Sequence, residues 1–147
     1  MTSVSEIAAI RTVPVPLGHR AYDVLIGPGL IANAGELIGS RLGAPRCGIV
    51  TDENVAHFHL SALEAALKRE NLHAGSIVLK PGEATKSFRE LAPLSERLLE
   101  AGLERADVVV AAGGGVIGDL AGFAAGILRR GVRFVQVPTT LLAQVDS

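Results

Sequence analysis

The sequence of 147 residues predicts an α/β fold with a parallel sheet and helices on both of its faces. Two observations support this prediction. Short runs rich in Val and Ile alternate with longer stretches whose apolar residues recur at helical spacing, which is typical of successive βαβ units. A triple glycine at residues 113–115 also separates an apolar strand run from an apolar helical stretch.

The composition indicates a folded domain and argues against several classes of function. Hydrophobic residues make up 48% of the chain, and the mean hydropathy is +0.38, which favours a well-buried α/β core. A net charge of −1 gives no electrostatic reason to expect nucleic acid or a membrane as a partner. The single cysteine, Cys47, excludes an internal disulfide. No secretory signal precedes these features, so we expect a cytoplasmic protein.

The N-terminal part predicts a β-hairpin followed by a helix. Residues 1–10 resemble a loose leader, and the extended runs at 11–17 and 21–26 are joined by a short polar turn. Apolar residues at helical spacing then predict a helix over residues 30–42, which Gly43 ends.

The middle of the chain predicts two strands, each followed by a helix. The first strand covers residues 47–51, and Asn54 is expected to cap a helix that extends to about residue 70. The face of this helix that we expect to be buried comprises Val55, Phe58, Ala62 and Ala66. The second strand covers residues 75–80. Ser87 and Glu90 then form a capping box for a helix to Ala101, in which Pro93 should produce a kink or a restart.

The last third predicts two further strands, beginning at Asp107 and at Val132, with a long helix between them and the start of another helix at Leu141. Parallel strands of such a sheet bind ligands at their carboxyl ends. Four polar or glycine-rich segments follow the predicted strands: Asp52 to Asn54, residues 81–86, residues 113–119, and Thr139 with Thr140. We therefore expect these segments to meet at one edge of the sheet.

Gly113, Gly115 and Gly118 match the GxGxxG pattern of dinucleotide-binding turns, directly after a predicted strand. Such a turn brings phosphates to the N-terminus of the following helix. The acid that usually follows these glycines is missing, and Asp52 precedes them, so we expect a Rossmann-like but permuted arrangement. A structural turn without a ligand fits the glycines too. A membrane helix also fits the glycines that recur every four residues, at positions 114, 118, 122 and 126, but Asp119 argues against it.

Three segments resemble the 3-dehydroquinate synthase family of sugar phosphate cyclases. They are PGEATK at residues 81–86, GGGVIGDLAGFAAGILRRGVRFVQVPTTLLAQVDS at 113–147, and TDENV at 51–55. The resemblance implies an NAD-binding α/β domain, an all-helical C-terminal domain and a homodimer. We expect residues 1–147 to form the NAD-binding domain, without the helical domain.

The resemblance also implies the reaction, conversion of 3-deoxy-D-arabino-heptulosonate 7-phosphate into 3-dehydroquinate in the shikimate pathway. In the family, NAD oxidises a hydroxyl of this sugar-acid phosphate, phosphate is eliminated, the ketone is reduced again, and an aldol step closes the ring. A transient ketone makes the neighbouring C–H acidic, which permits the elimination. NAD is therefore regenerated in each turnover.

Carried over residue by residue, the resemblance implies that Arg130 and Asp146 contact the substrate. Asp52 would bind the adenosine ribose, and the remaining cofactor contacts would lie in three segments. These contacts are Pro81, Gly82, Glu83, Ala84, Thr85, Lys86, Gly114, Gly115, Val116, Ile117, Gly118, Asp119, Thr139 and Thr140. From the residues alone, Arg130 also fits a cation that complements the dipole at the C-terminal end of a helix. Lys86 and Glu83 also fit an ordinary ion pair on the surface.

In the family, a divalent metal, zinc or cobalt, is bound by one Glu and two His of the helical domain. The four histidines of this sequence do not match that set, so we expect no metal ligand here and no turnover by this chain alone. Three alternatives stay open. They are a related sugar phosphate cyclase, a metal-dependent polyol dehydrogenase, and a non-catalytic nucleotide-binding module.

Overall fold

The computed structural model describes residues 9–146, which form a β-hairpin and an α/β unit. The hairpin pairs β1 (Arg11–Val15) with β2 (Tyr22–Ile26) in antiparallel register. The α/β unit contains a four-stranded sheet in which every pairing is parallel. Its strands are β3 (Cys47–Asp52), β4 (His73–Leu79), β5 (Val108–Gly113) and β6 (Arg133–Pro138). The predicted hairpin and parallel sheet are confirmed.

Helices connect the strands of this sheet. They are α1 (Ala34–Leu42), α2 (Glu53–Val55), α3 (Ser61–Arg69), α4 (Phe88–Glu100), α5 (Gly115–Ile127) and α6 (Leu141–Val145). A π-helical segment, Ala56–Leu60, joins α2 to α3 without a break. Short 3₁₀ turns occur at Gly18–Arg20, Glu83–Thr85 and Leu128–Arg130.

Two apolar cores lie on opposite faces of the sheet. On one face, leucines of α4 and small residues of α5 pack against alternate residues of β3 and β5, including Val50 and Val109. On the other face, α1 and α3 pack against Ile49 and Val110. Every residue of β5 is buried, because this strand has a neighbouring strand on both sides and helices on both faces. The predicted arrangement of helices on both faces is thus confirmed.

The order of the parallel strands, β4-β3-β5-β6, identifies where a ligand can bind. After β3 the chain forms β4 on one side, and then crosses back to form β5 on the other side of β3. The connections therefore change direction between β3 and β5. Open α/β sheets bind ligands at the carboxyl ends of the strands at such a switch point. We call the edge of the sheet that is formed by the carboxyl ends of β3, β4, β5 and β6 the switch-point edge.

The first helix is shorter than predicted. The predicted helix starts at residue 30, whereas α1 begins at Ala34 and residues 30–33 form turns. Gly29 has a φ of 70°, and its carbonyl oxygen accepts a hydrogen bond from the side-chain amide of Asn33 (2.7 Å). This local bond competes with helical pairing. Gly43 ends the helix in the left-handed conformation, as predicted.

The predicted buried face of the helix after β3 is only partly correct. Ala66 is buried as predicted, but Phe58 is 75% exposed and Ala62 is exposed. Leu63 and Leu67, which were not in the predicted face, are buried. The π-helical segment adds one residue to a turn, and this insertion moves the inward face by one position along the sequence. A regular 3.6-residue repeat could not anticipate the shift.

Helix α4 follows the prediction more closely. The hydroxyl of Ser87 accepts a hydrogen bond from the backbone N–H of Glu90 (3.3 Å), so the predicted cap is present. Leu91, Leu94 and Leu98 are buried. The helix continues through Pro93 without a restart.

Most of the predicted leader, residues 1–8, lies outside the described residues, as does Ser147. Within residues 9–146, no helix combines the length and apolar character needed to cross a membrane.

Candidate functional site

The four segments expected to meet at the ends of the strands all lie at the switch-point edge. Asp52 is the last residue of β3, and residues 80–86 follow β4. Gly113 ends β5, and Thr139 follows β6. The backbone N–H of Thr139 donates to the carbonyl of Gly113 (3.0 Å), which joins the last two segments directly.

Asp52 is the N-cap of α2. Its Oδ1 accepts a hydrogen bond from the backbone N–H of Val55 at 2.9 Å. The cap predicted at Asn54 is therefore wrong by two residues, because Asp52 already has the extended backbone of a cap (φ −112°, ψ 171°). The cap fixes the carboxylate beside the end of β3 and engages one of its two oxygens.

The glycine turn after β5 leaves open space at its centre. A Cβ at position 113 would lie 2.7 Å from the Cβ of Ile117, so Gly113 is required by packing within the chain. A Cβ at Gly114 would lie 3.2 Å from Cγ2 of Thr140. At Gly115 a Cβ would meet no atom within 4 Å. This helical glycine thus has no packing reason within the described chain, whereas close approach of a ligand to the backbone would require it.

Helix α5, which begins at this turn, differs from the helices that follow the other three strands. Side chains of Asp52, Ser87 and Thr140 cap α2, α4 and α6. Gly114 is the N-cap of α5, and no side chain of the described residues caps this helix. The first N–H groups of a helix need a partner and favour an anion. The N-terminus of α5 is therefore the place at this edge that best suits a phosphate.

The turn between β4 and α4 has a rigid backbone. Gly82 has a φ of 105°, a conformation that strongly favours glycine. The buried hydroxyl of Thr85 donates to the carbonyl of Lys80 (2.7 Å), and the N–H of Lys86 donates to the carbonyl of Glu83 (3.1 Å). Pro81 and Ala84 complete the segment predicted to lie along the cofactor.

Lys86 forms the main ion pair of the edge. Its Nζ lies 2.7 Å from Oδ2 of Asp119 on α5 and 3.9 Å from Oε1 of Glu83. The hydrogen bond that the Lys86 ammonium donates to the carboxylate of Asp119 raises the pKa of Lys86. Lys86 is therefore a fully charged cation that Asp119 holds close to α5.

The two threonines after β6 have different surroundings. The hydroxyl of Thr140 accepts from the N–H of Ala143 (3.1 Å) and caps α6, while its methyl group faces Gly114. Thr139 is partly buried. Val116, Ile117 and Gly118 form the first turn of α5 with Gly115, and only Ile117 is buried in the core.

Thr51 belongs to the same edge, and sequence analysis missed it. The residue is 1% exposed, and its hydroxyl has no hydrogen-bond partner among the described residues. A buried unpaired hydroxyl costs free energy. The TDENV segment contained it, but no sequence pattern distinguishes an unpaired threonine from a paired one.

The structure does not bring Arg130 to the switch-point edge. Arg130 follows the C-terminal end of α5, whose 13 residues span about 20 Å. It is exposed and, like Arg129, has a left-handed backbone (φ 64° and 49°). Asp146 is exposed just after α6, six residues beyond Thr140.

The histidines do not assemble a metal site in the described part of the chain. Within residues 9–146, no three side chains of His, Cys, Asp or Glu lie close enough together to hold a metal ion. His57 and His59 lie on the π-helical segment beside Phe58. His73 contacts Ser76 and Glu64 in the interior of the α3–β4 contact.

Fold and site together define a class, the N-terminal α/β part of sugar phosphate cyclases. The chain matches 2-epi-5-epi-valiolone synthase from Streptomyces hygroscopicus, solved with NAD⁺ and Zn²⁺ bound (TM-score 0.73, 31% identity, 85% of this chain and 34% of that one). It also matches 2-deoxy-scyllo-inosose synthase with carbaglucose-6-phosphate, NAD⁺ and Co²⁺ (TM-score 0.76, 26% identity, 90% and 36%).

Sequence comparison shows which family of that class the chain is similar to. The model of the 3-dehydroquinate synthase N-terminal region matches residues 76–147. Over all 147 residues, the chain is 60% identical to 3-dehydroquinate synthase of Rhizobium johnstonii and 53% identical to that of Brucella ovis. Over its whole length the chain is therefore similar to the N-terminal part of 3-dehydroquinate synthases. It spans 39% of the length of each of these two relatives.

Proposed function

We propose that this chain is the NAD-binding part of a 3-dehydroquinate synthase. The whole protein would convert 3-deoxy-D-arabino-heptulosonate 7-phosphate into 3-dehydroquinate by the reaction described above. The structural observation behind this proposal is the uncapped N-terminus of α5 at the switch point, with open space at Gly115. The whole length of the chain, residues 1–147, would form this single domain.

The residues at the switch-point edge fit NAD. The pyrophosphate would lie against the N–H groups of Gly115, Val116 and the following residues at the start of α5. Asp52 retains one carboxylate oxygen that can accept a hydrogen bond from the adenosine ribose. The segment from Pro81 to Lys86 and the threonines Thr139 and Thr140 would line the remainder of the cofactor.

NAD bound in this way would supply a reversible hydride acceptor for the substrate alcohol. The chain's own residues bind and orient it: the glycine turn allows close approach of the phosphates, and Lys86 provides a cation. The proposed divalent metal, zinc or cobalt, would be held by residues outside residues 1–147. We assign no metal ligand to this chain.

Arg130 and Asp146 are proposed substrate contacts that lie at different distances from the proposed cofactor site. Asp146 is close in sequence to Thr140 and therefore close to the proposed cofactor site. Arg130 lies about 20 Å from the glycine turn along α5, so it cannot reach the same site within one chain. Its strained left-handed backbone, which costs roughly 1–3 kcal/mol, is typical of functional positions. A role for Arg130 is compatible with the proposed homodimer, in which it would serve the other chain.

The alternative cyclase reactions receive less support. The sequences of the two other cyclases are 26% and 31% identical to that of the chain. The sequence identity to 3-dehydroquinate synthase of Rhizobium johnstonii is 60% over the full length of the chain. In the whole protein, phosphate release without net NADH formation would distinguish cyclase chemistry from a polyol dehydrogenase.

We further propose a cytoplasmic location. We also propose that the protein has no nucleic-acid or membrane partner, since its net charge is −1.

Calorimetric titration of NAD into the 147-residue chain tests the proposal. We expect saturable binding that Gly115→Val abolishes, because the new side chain would fill the space beside the first N–H groups of α5. Gly126→Val is the matched control. Gly126 lies in the same helix and is exposed, and a Cβ added there would meet no atom within 4 Å. Equal loss of NAD binding in both variants, or none in either, would contradict the proposed site.

A further inference from the structure

We propose that Arg129 is a positioning residue whose side chain fixes the turn from which Arg130 would contact the substrate. The proposed function includes Arg130 as a substrate contact, so this inference rests on the proposed function. Arg129 is not among the residues assigned above to the cofactor or the substrate. It would act through Arg130 and would not itself contact the substrate.

The turn between α5 and β6 has a backbone conformation that its residue types disfavour. Arg129 and Arg130 have φ values of 49° and 64°, and Gly131 follows with a φ of 110°. Only glycine adopts a positive φ without steric cost. Two consecutive arginines in the left-handed region are unfavourable, and such a conformation persists only when surrounding contacts determine it.

Backbone hydrogen bonds close this turn. The N–H of Gly131 donates to the carbonyl of Leu128 (2.7 Å), and the N–H of Val132 donates to the carbonyl of Ala125 (2.8 Å). These bonds connect the end of α5 to the start of β6. They involve no side chain, so they leave the two arginine side chains unconstrained.

The side chain of Arg129 ties the turn to the loop that precedes β5. Its Nε donates to the carbonyl of Leu103 (3.3 Å), and its Nη2 lies 3.8 Å from Oε1 of Glu104. Strands β5 and β6 are neighbours, so the loops that precede them lie side by side. Arg130 is exposed, and its side chain forms no hydrogen bond or ion pair within residues 9–146. One arginine therefore holds the turn, and the other remains available to a ligand.

The loop before β5 is a rigid support for this contact. The carboxylate of Asp107 accepts hydrogen bonds from the backbone N–H groups of Glu104 (2.8 Å) and Arg46 (2.9 Å). The guanidinium of Arg46 donates to the carbonyl of Gly102 (3.2 Å). The side chain of Leu103 is buried in the core. The carbonyl group of Leu103 is therefore held in place by both the loop and the core.

The stability of the fold does not explain an arginine at position 129. Glycine would adopt the same left-handed backbone without strain. The side chains of Arg129 and Glu104 are 42% and 69% exposed, and exposed ion pairs contribute little to stability. A fixed turn offers a different advantage. An arginine that is held in place before the ligand arrives binds it more tightly, because less conformational freedom is lost on binding.

The contact of Arg129 can be tested without a substrate, with Arg129→Gly, which removes the side chain and adds no backbone strain. In the 147-residue chain, ¹⁵N relaxation should show an ordered Nε–H group in Arg129 and a mobile one in Arg130. Arg129→Gly should lower the backbone order parameter of Arg130 from about 0.85 towards about 0.6. An unchanged order parameter would overturn the inference, because the turn would then be fixed without Arg129.

Steady-state kinetics of the whole protein tests the consequence for the substrate. We expect Arg129→Gly to raise the KM for the sugar-acid phosphate about fivefold and to change kcat less than about twofold, because a binding contact is loosened. Arg133→Gln is the matched control. Arg133 also donates to a carbonyl of the loop before β5, that of Ala106, but lies in β6. Equal increases in KM in both variants would overturn the inference, because they would show a general loosening of the loop.

Arg130→Ala distinguishes positioning from direct contact. We expect Arg130→Ala to raise KM more than Arg129→Gly does, and the double variant to have the same KM as Arg130→Ala. Equal effects of Arg129→Gly with and without Arg130 would overturn the inference, because Arg129 would then act independently of Arg130. A wild-type KM in Arg130→Ala would also overturn it, while turnover by the wild type would still support the proposed function. Absence of turnover by the wild-type whole protein would overturn the proposed function, and the inference with it.

Discussion

At the scale of single residues, two buried threonines at the same edge differ in one hydrogen bond. The hydroxyl of Thr85 donates to the carbonyl of Lys80, whereas the hydroxyl of Thr51 has no partner among the described residues. Both are at most 6% exposed. Burial of a hydroxyl is favourable only when it forms hydrogen bonds. The sequence predicts neither case, because a partner depends on atoms brought together by folding.

We expect Thr51→Val to stabilise the ligand-free chain by about 1 kcal/mol or more, because Val retains the shape of Thr and removes an unpaired buried hydroxyl. Thr85→Val should destabilise it by about 1 kcal/mol, since it breaks a hydrogen bond. Urea unfolding of both variants and the wild type provides the comparison. Changes of the same sign in the two variants would show that Thr51 has a partner in solution.

His73 makes stability depend on pH near neutrality. Burial lowers its pKa, which Glu64 partly restores, while Lys68 lowers it further. The unfolded chain therefore binds a proton near pH 6.5 and the folded chain only at lower pH. Stability from the neutral imidazole is fully present above about pH 6.5 and decreases as the pH falls below that value. In urea unfolding at pH 7.5 and 5.5, the wild type should lose more stability than His73→Gln. Identical losses would exclude His73 as the cause.

Cys47 should be unreactive in the folded chain. Burial, with a smaller effect of Asp107, raises its thiol pKa to about 11, while Arg133 acts in the opposite direction. Only the thiolate reacts with disulfide reagents. At pH 8, labelling by an aromatic disulfide should therefore be slow in buffer and complete in denaturant. Rapid labelling of the folded chain would contradict the burial of Cys47.

At the scale of elements, three of the four helices that follow sheet strands are capped by side chains, and α5 is capped by glycine. The sequence predicted the cap at Ser87 because S-x-x-E is a local pattern. It misplaced the cap of α2 because Asn54 and Asp52 are both good caps by residue type. The end of β3 determines which one has the extended backbone. The π-helical segment was not predictable from periodicity, since it interrupts the repeat on which that prediction depends.

A comparison of Asp52→Ala with Ser87→Ala separates the effect of a lost helix cap on stability from the effect of a lost ligand contact on NAD affinity. Each removes one side-chain cap at the switch-point edge, so each should destabilise the fold by about 1 kcal/mol. Only Asp52→Ala should also weaken NAD binding, because Ser87 is not among the proposed cofactor contacts. Thermal unfolding and NAD calorimetry on both variants provide the test. Comparable NAD affinities in the two variants would remove Asp52 from the proposed site.

At the scale of the whole molecule, exposed apolar side chains lie on two helices next to the proposed site. Phe123 and Ile127 on α5 are more than half exposed, as are Leu141, Leu142 and Val145 on α6. Helix α5 is therefore apolar on both its inner and its outer faces, which is typical of helices that are covered. Contiguous apolar surface of this kind usually marks an interaction site or promotes association.

We expect the chain to self-associate at micromolar concentration through this surface. Leu142→Lys combined with Phe123→Ser should shift it towards monomer in sedimentation velocity. Phe58→Ser is the control, because Phe58 is also more than half exposed but lies on the π-helical segment before α3. A chain that is monomeric at every concentration, or one that responds only to Phe58→Ser, would exclude the surface of α5 and α6.

The sequence by itself determined the α/β class, the hairpin, the sites of the four parallel strands and the segments at their ends. Hydrophobic periodicity and glycine turns are local properties, and local properties are visible in a sequence. Only the tertiary structure decided the strand order, the ion pair between Lys86 and Asp119, the unpaired hydroxyl of Thr51 and the separation of Arg130 from the switch-point edge. Each of these depends on residues that are distant in sequence, whose contacts are determined by how helices and strands pack.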